Sequence, residues 1–262
     1  MFLPLRDDNP HTTKPIVTWA LIALCVAVFV WQETLGEQGG RIAILAYGVI
    51  PADLFGTAEL NPVIAPLPAW MTIFTSMFLH GGWMHLGGNM LYLWIFGDNV
   101  EASMGRAKFL LFYLICGFSA AMTQSLAAPD STIPMVGASG AVAGVLGAYL
   151  VLHPFANIRV LVWLIIFITM INVPAWIVLG LWFLGQLLSQ AVTPVGEPGV
   201  AFLAHIGGFI AGAALIFKFR KRGIGLFTKR RSRAFEIASR RVAAPRRSGG
   251  SVPQSGRQGP WG

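Results

Sequence analysis

The sequence predicts an all-α membrane protein, a bundle of six transmembrane helices with both termini on the inner side of the bilayer. Three observations carry that prediction. Of 262 residues, 55% are apolar and only 11% are Asp, Glu, Lys or Arg, against about 25% charged in a soluble domain. So few charges cannot cover a water-facing surface, and so apolar a chain is not disordered. Apolar runs recur between turn signals along most of the length. Basic charge is also one-sided, because 13 of the 19 Lys and Arg lie from Lys218 onward, beside a single acid, Glu236.

The apolar runs place spans at about 16–34, 82–99, 107–127, 136–152, 174–190 and 201–219. No small-residue cleavage site follows the first run, and Arg6, Asp7, Asp8 and Lys14 precede it, so it is expected to stay as a membrane helix. Segment 158–171 is apolar too, but its 14 residues would rise only about 21 Å as a helix. With Pro174 behind it, it is expected to be an irregular or interfacial lead-in to the fifth span. Six spans leave outer loops at 35–81, 128–135 and 191–200, which hold one basic residue, Arg41. The other 18 fall on the inner side, as positive-inside orientation requires. The chain thus divides into a short cytoplasmic N-terminus (1–15), a six-helix core (16–220) and a basic, flexible cytoplasmic tail (221–262). That tail reads as a topology signal and a contact for anionic lipids rather than a nucleic-acid site. Cys25 and Cys116 both fall in apolar runs and form no CxxC pair, so no disulfide framework or thiolate metal site is expected.

Polar residues inside spans are costly and point to function. His85 and Asn89, four apart, share one face of the second span. Ser139 opens the fourth and His205 lies near the start of the sixth. All three spans run from outside to inside, so these groups sit at similar shallow depth. Gly140 and Gly144, and likewise Gly208 and Gly212, have the small-residue spacing that lets membrane helices approach closely. Ser139 and His205 would then differ in depth by only about 3 Å. A serine beside a neutral imidazole suits nucleophilic acyl transfer. Asn89, His85 and the free amides opening the fourth span could stabilise an oxyanion. The fourth run is short, so Ser139 is expected to face a water-filled recess on the outer side.

Competing chemistries fit less well. His80 and His85 are five apart and no HExxH occurs, which argues against a zinc protease. No inverted repeat is visible and no carboxylate falls in the middle of a span, which argues against a transporter. Asp98 and Glu101 are expected to serve the turn into the third span together with Arg106.

The stretches HGGWMHLGGNM (His80, His85, Asn89), GDNVEASMGRAKF, GASG (Gly137 to Gly140) and AHIGGFIAG (around His205), in that order, resemble the rhomboid family of intramembrane serine proteases over roughly residues 15–220. The resemblance implies a rhomboid-like six-helix bundle of the prokaryotic type. It implies a dyad of Ser139 as nucleophile and His205 as base, with Asn89, His85 and the Ser139 amide at the oxyanion. It implies single-pass or polytopic membrane proteins as substrates, cut near the outer end of a helix, with no metal or cofactor. The protein would then lie in a prokaryotic inner membrane with its site facing outward. Ala143 stands where family members often have an aromatic residue four positions after the serine. Support for the His205 ring then falls to Trp182 or another aromatic of the fifth span. Trp70 is followed by Met71 where many members have a Trp-Arg pair. The alternative is a pseudoprotease that binds membrane helices without cutting them, although such proteins lack the serine or the histidine, and both are present here.

Overall fold

The computed structural model describes residues 2–9, 13–58, 61, 63–164, 166–195 and 199–229. Each of the six apolar runs is a helix: α1 (Ile16–Thr34), α5 (Trp83–Met104), α6 (Arg106–Ala127), α7 (Ser139–Leu152), α8 (Ala175–Val192) and α9 (Phe202–Phe219). The loop after α1 contributes three short helices, α2 (Gly36–Tyr47), α3 (Pro51–Phe55) and α4 (Ala69–Thr75). Of the described helices, α1, α6, α8 and α9 are long and apolar enough to cross a bilayer. Helix α5 has the length but carries five polar or charged side chains between His85 and Glu101, and α7 has only 14 residues.

Helix α7 is the axis of the bundle. Twelve of its 14 residues are buried, because it is built from Gly, Ala and short aliphatics that let neighbours close on every side. A Cβ at Gly208 would strike the carbonyl oxygen of Gly140, and one at Gly212 that of Gly144. The backbones of α7 and α9 therefore touch, which is what small residues four apart permit. On the other flank α6 comes just as near, with Ala120 against Gly140 and Cys116 against Gly144. Cys25 and Cys116 are both buried and free.

The structure departs from an all-α fold at one end. Residues 158–171 are not an irregular lead-in but most of a hairpin, β2 (Asn157–Leu164) and β3 (Phe167–Pro174), and β1 (Phe2–Asp7) adds a third antiparallel strand beside β2. The segment is dense in Val, Ile and Trp, residues that suit a pleated surface better than a helix. Alternate side chains Ile158, Val160 and Val162 go to the core. Asp8 and Asn157 close the end of the ladder, the Asn157 amide and Nδ2 donating to the Asp8 carboxylate at 2.8 and 3.0 Å.

Glu101 serves another purpose than the turn expected of it. Its carboxylate accepts the Val17 and Thr18 amides at 3.1 and 2.8 Å and the Thr18 hydroxyl at 2.8 Å. Pro15 has no side chain with which to cap α1, so a carboxylate from α5 satisfies the orphan amides and complements the helix dipole. Arg106 is an exposed first residue of α6. At the same end, residues 221–229 fold back over the bundle: Lys221 donates to the Ser103 and Ala102 carbonyls, and the Phe227 and Thr228 amides to Val151 and Leu152. The tail from 230 onward lies outside the described residues.

Asp7 joins the strand to the helices. Its carboxylate accepts from Asn99 Nδ2 of α5 at 2.9 Å and from the Tyr149 hydroxyl of α7. Burial lifts this carboxyl from the ordinary 3.8 to about 7; the Tyr149 hydrogen bond opposes the rise, and the nearby Asp98 and Asp8 add to it. A carboxyl with a raised folded value binds its proton more readily docked than released, so docking weakens as pH climbs from about 4 to about 7. Hydrogen exchange of the β1 amides, corrected for intrinsic rates, should show protection falling from about pH 5 to about pH 8, with Asp7→Asn removing the dependence. A flat wild-type profile would mean Asp7 is ionised throughout.

Candidate active site

A cavity of about 600 Å³ opens at the end of the bundle opposite the sheet. Ser139, His85, Asn89 and His205 all border it. Those four residues come from α7, α5 and α9, and the glycine contacts between α7 and α9 bring their elements together. No hydrogen bond joins Ser139 to His205 among the described residues; they share the wall of the same space.

Ser139 is the first residue of α7, so its amide has no acceptor within the helix. Gly137, two residues earlier, has φ +129°, and a Cβ there would lie 2.7 Å from Cε1 and Nε2 of His85. Only glycine allows that backbone shape and that approach at once. Its amide donates to the Ser76 carbonyl at 2.9 Å, which anchors the turn entering α7.

The two histidines are held in opposite senses. At His85, Nδ1 accepts the Gly81 amide at 3.3 Å. The ring proton is therefore on Nε2, the atom that faces Gly137. At His205, Nδ1 lies 2.7 Å from the Gln186 Oε1 of α8. An amide oxygen only accepts, so Nδ1 carries the proton and Nε2 keeps a lone pair. Trp182, one turn earlier on α8, places its ring centroid 5.9 Å from that of His205. With Ala143 on α7 offering only a methyl group, α8 holds the imidazole by both an edge and a face.

Asn89 is buried, and its Nδ2 has no hydrogen-bond partner. An orphan donor in such a position is costly unless something accepts from it. Gln124 of α6 also borders the cavity, with a buried Oε1 lacking a partner. His80, by contrast, is a scaffold residue. Its backbone is clamped by Gln32 of α1 at 3.1 and 3.2 Å, and its ring stands edge-on to His85 at 5.2 Å. Sequence reasoning missed Gln186 and Gln124. Their one signal was an amide side chain within a span, Gln124 between Thr123 and Ser125 and Gln186 one turn before Gln190.

A Rhomboid domain model matches residues 68–222, well over half of the chain and all of this site. The chain belongs to the rhomboid family, and it is an integral membrane protein. It is 32% identical over 203 residues to the rhomboid protease GluP of Bacillus subtilis, covering 76% of this chain and 34% of that one. It is 28% identical over 211 residues to the rhomboid protease GlpG of Klebsiella pneumoniae, covering 79% and 64%. Rhomboid protein 1, mitochondrial, of Saccharomyces cerevisiae matches at 29% over 175 residues, covering 65% and 46%. The chain thus spans between about a third and about two thirds of the length of these relatives.

Proposed function

We propose that this protein is an intramembrane serine endopeptidase that hydrolyses a peptide bond near the outer end of transmembrane substrate helices. The observation that carries the reading is the pair of contacts that sets the two histidines around Ser139 in opposite senses: Gln186 Oε1 on Nδ1 of His205, which leaves its Nε2 an acceptor, and the Gly81 amide on Nδ1 of His85, which leaves its Nε2 a donor. His205 Nε2 takes the Ser139 hydroxyl proton as Oγ attacks the scissile carbonyl carbon. The oxygen that becomes negative accepts from His85 Nε2–H, Asn89 Nδ2 and the Ser139 amide. His205 then gives its proton to the departing amine, leaving an acyl ester on Ser139. Water, deprotonated by the same nitrogen, cleaves the ester and restores the hydroxyl. Gln186 and Trp182 act through His205 as positioning residues. Relatives named as proteases support the reading, and the presence of both Ser139 and His205 weighs against a pseudoprotease.

The six helices are proposed to span with both termini inside, which puts the cavity on the outer face of a prokaryotic inner membrane. The basic residues beyond α9 would meet anionic lipid at the inner face. Substrates would be single-pass or polytopic membrane proteins.

A serine-directed fluorophosphonate should label the purified protein in detergent but not Ser139→Ala, and His205→Ala should label on the order of a thousandfold more slowly. Equal labelling of folded Ser139→Ala would remove the mechanism. Asn89→Ala should lower turnover of a transmembrane peptide by roughly tenfold to a thousandfold while KM stays nearly constant. An unchanged kcat would assign its orphan amide to packing. For Gln186, replacement by Leu should cost about tenfold to a hundredfold in kcat, whereas Glu, which keeps an acceptor in place, should stay within about threefold. Equal kcat values for the two variants would show that the hydrogen bond does not orient the base.

A further inference from the structure

The three-stranded sheet has a surface that the bundle does not explain. Residues opposite one another in an antiparallel ladder point to the same face. The register therefore sets Leu3, Leu161 and Met170 in one row of the outward face, with Trp163 and Ile168 in the next row toward the hairpin tip. Ile168 is 62% exposed and Ile166, at the tip, 95%. On the opposite face Ile158, Val160 and Val162 are buried and Phe2 and Ile171 exposed, and its polar residues are Thr169, paired with Val162, and Asp7, paired with Ile158 and tied to Asn99 and Tyr149. An antiparallel sheet in water keeps one polar face. The outer half of this one has a single polar side chain, Thr169, on one face and only apolar residues on the other.

Its position and charge name the covering phase. The sheet hangs between the C-terminus of α7 and the N-terminus of α8, tied through Asp7 to Asn99 and Tyr149. It therefore lies at the level where helices leave the bilayer, on the side away from the cavity. At its base the apolar rows give way to Arg6 and Arg159, directly opposed on β1 and β2. The exposed Lys218 and Arg222, at and beyond the end of α9, lie at that same end. Apolar side chains on one side of a cationic band, with a tryptophan between, match the gradient from acyl chain to headgroup. Depth is bounded from the other direction. Among the described residues, the outer edges of β1 and β3 have no strand partner, and such edges are not tolerated in hydrocarbon.

We propose that β1, β2 and β3 form an interfacial membrane anchor that lies in the headgroup layer of the leaflet opposite the cavity, with Trp163, Ile166, Ile168 and Met170 toward the acyl chains and Arg6 and Arg159 at the phosphates of anionic lipid. The inference does not depend on the chemistry at Ser139. Because Pro174 passes straight into α8, the anchor also fixes the base of that helix relative to the membrane.

The test is a single fluorescent label at Ile168→Cys in the full chain, reconstituted in vesicles containing anionic phospholipid. Cys25 and Cys116 are buried, and the unsubstituted protein reports any background labelling. Lipids with a nitroxide near the headgroup should quench this label at least about twofold more than aqueous iodide does, whereas a label at Glu37→Cys, exposed on α2, should show the reverse. Quenching should persist on dilution with lipid and should fall in purely zwitterionic vesicles. Iodide access equal to that at Glu37 would overturn the anchor. So would shielding that disappears as the protein is diluted in lipid, which would mean that a second copy covers the face. Indifference to lipid charge would overturn the role of the arginines. If Ile168→Cys does not fold, as judged by gel filtration in detergent, Met170→Cys provides the same readout.

Discussion

Between α7 and α9 there are no side chains to speak of. Gly140 and Gly144 offer carbonyl oxygens where Gly208 and Gly212 have only hydrogens, and this backbone contact sets the rest of the architecture. In lipid, helices gain little by hiding apolar surface from one another, so close fit must hold them. The same contact fixes which residues meet at the mouth of the bundle. Ser139 stands one position before Gly140, and His205 three before Gly208. A larger side chain at Gly208 or Gly212 would part α7 from α9 and, in the same movement, the serine from the imidazole, whereas one at Gly140 or Gly144 would press first on Ala120 or Cys116 of α6.

The two ends of the molecule treat polar groups in opposite ways. At the sheet end they are satisfied by partners far away in sequence: Glu101 by the amides of α1, Asp7 by Asn99 and Tyr149, the last carbonyls of α7 by residues after α9. At the cavity end, Asn89 Nδ2 and Gln124 Oε1 are buried without partners. Unpartnered polar atoms are costly in such surroundings, and these two both border the cavity.

The helices and most of the site could be read from the sequence because their signals are local. An apolar run marks a span, a glycine repeat marks a contact, and a histidine in such a run is conspicuous. What escaped depends on distant pairing. Nothing near Phe2 announces that it will lie against Val162, and without that third strand 158–171 reads as an irregular or interfacial lead-in to the fifth span. Glu101 sits close to Arg106 in sequence, which suggested a turn, yet its partners are Val17 and Thr18 on another helix. Gln186 does not stand out in the sequence, because α8 carries Ser189 and Gln190 as well and a polar side chain in a span has many bland explanations. Its meaning comes only from the ring nitrogen 2.7 Å away. The vacancy at Ala143 was visible; the helix that compensates for it was visible only in part, through Trp182.

That compensation moves the imidazole's support from the most enclosed helix to the least. Ala175 and Leu179 are the buried residues of α8, both near its start, and the half that carries Trp182 and Gln186 has no comparable cover. A substrate helix large enough to need room beside the cavity would find it most cheaply by displacing this half. Doing so would draw the amide oxygen from His205 and free the ring to turn away from Ser139. Entry and reactivity would then be successive states of one hinge. The serine would be inert while the bundle stands ajar and would become a nucleophile only after α8 has closed behind its guest, a timing that an aromatic residue fixed on α7 would not impose.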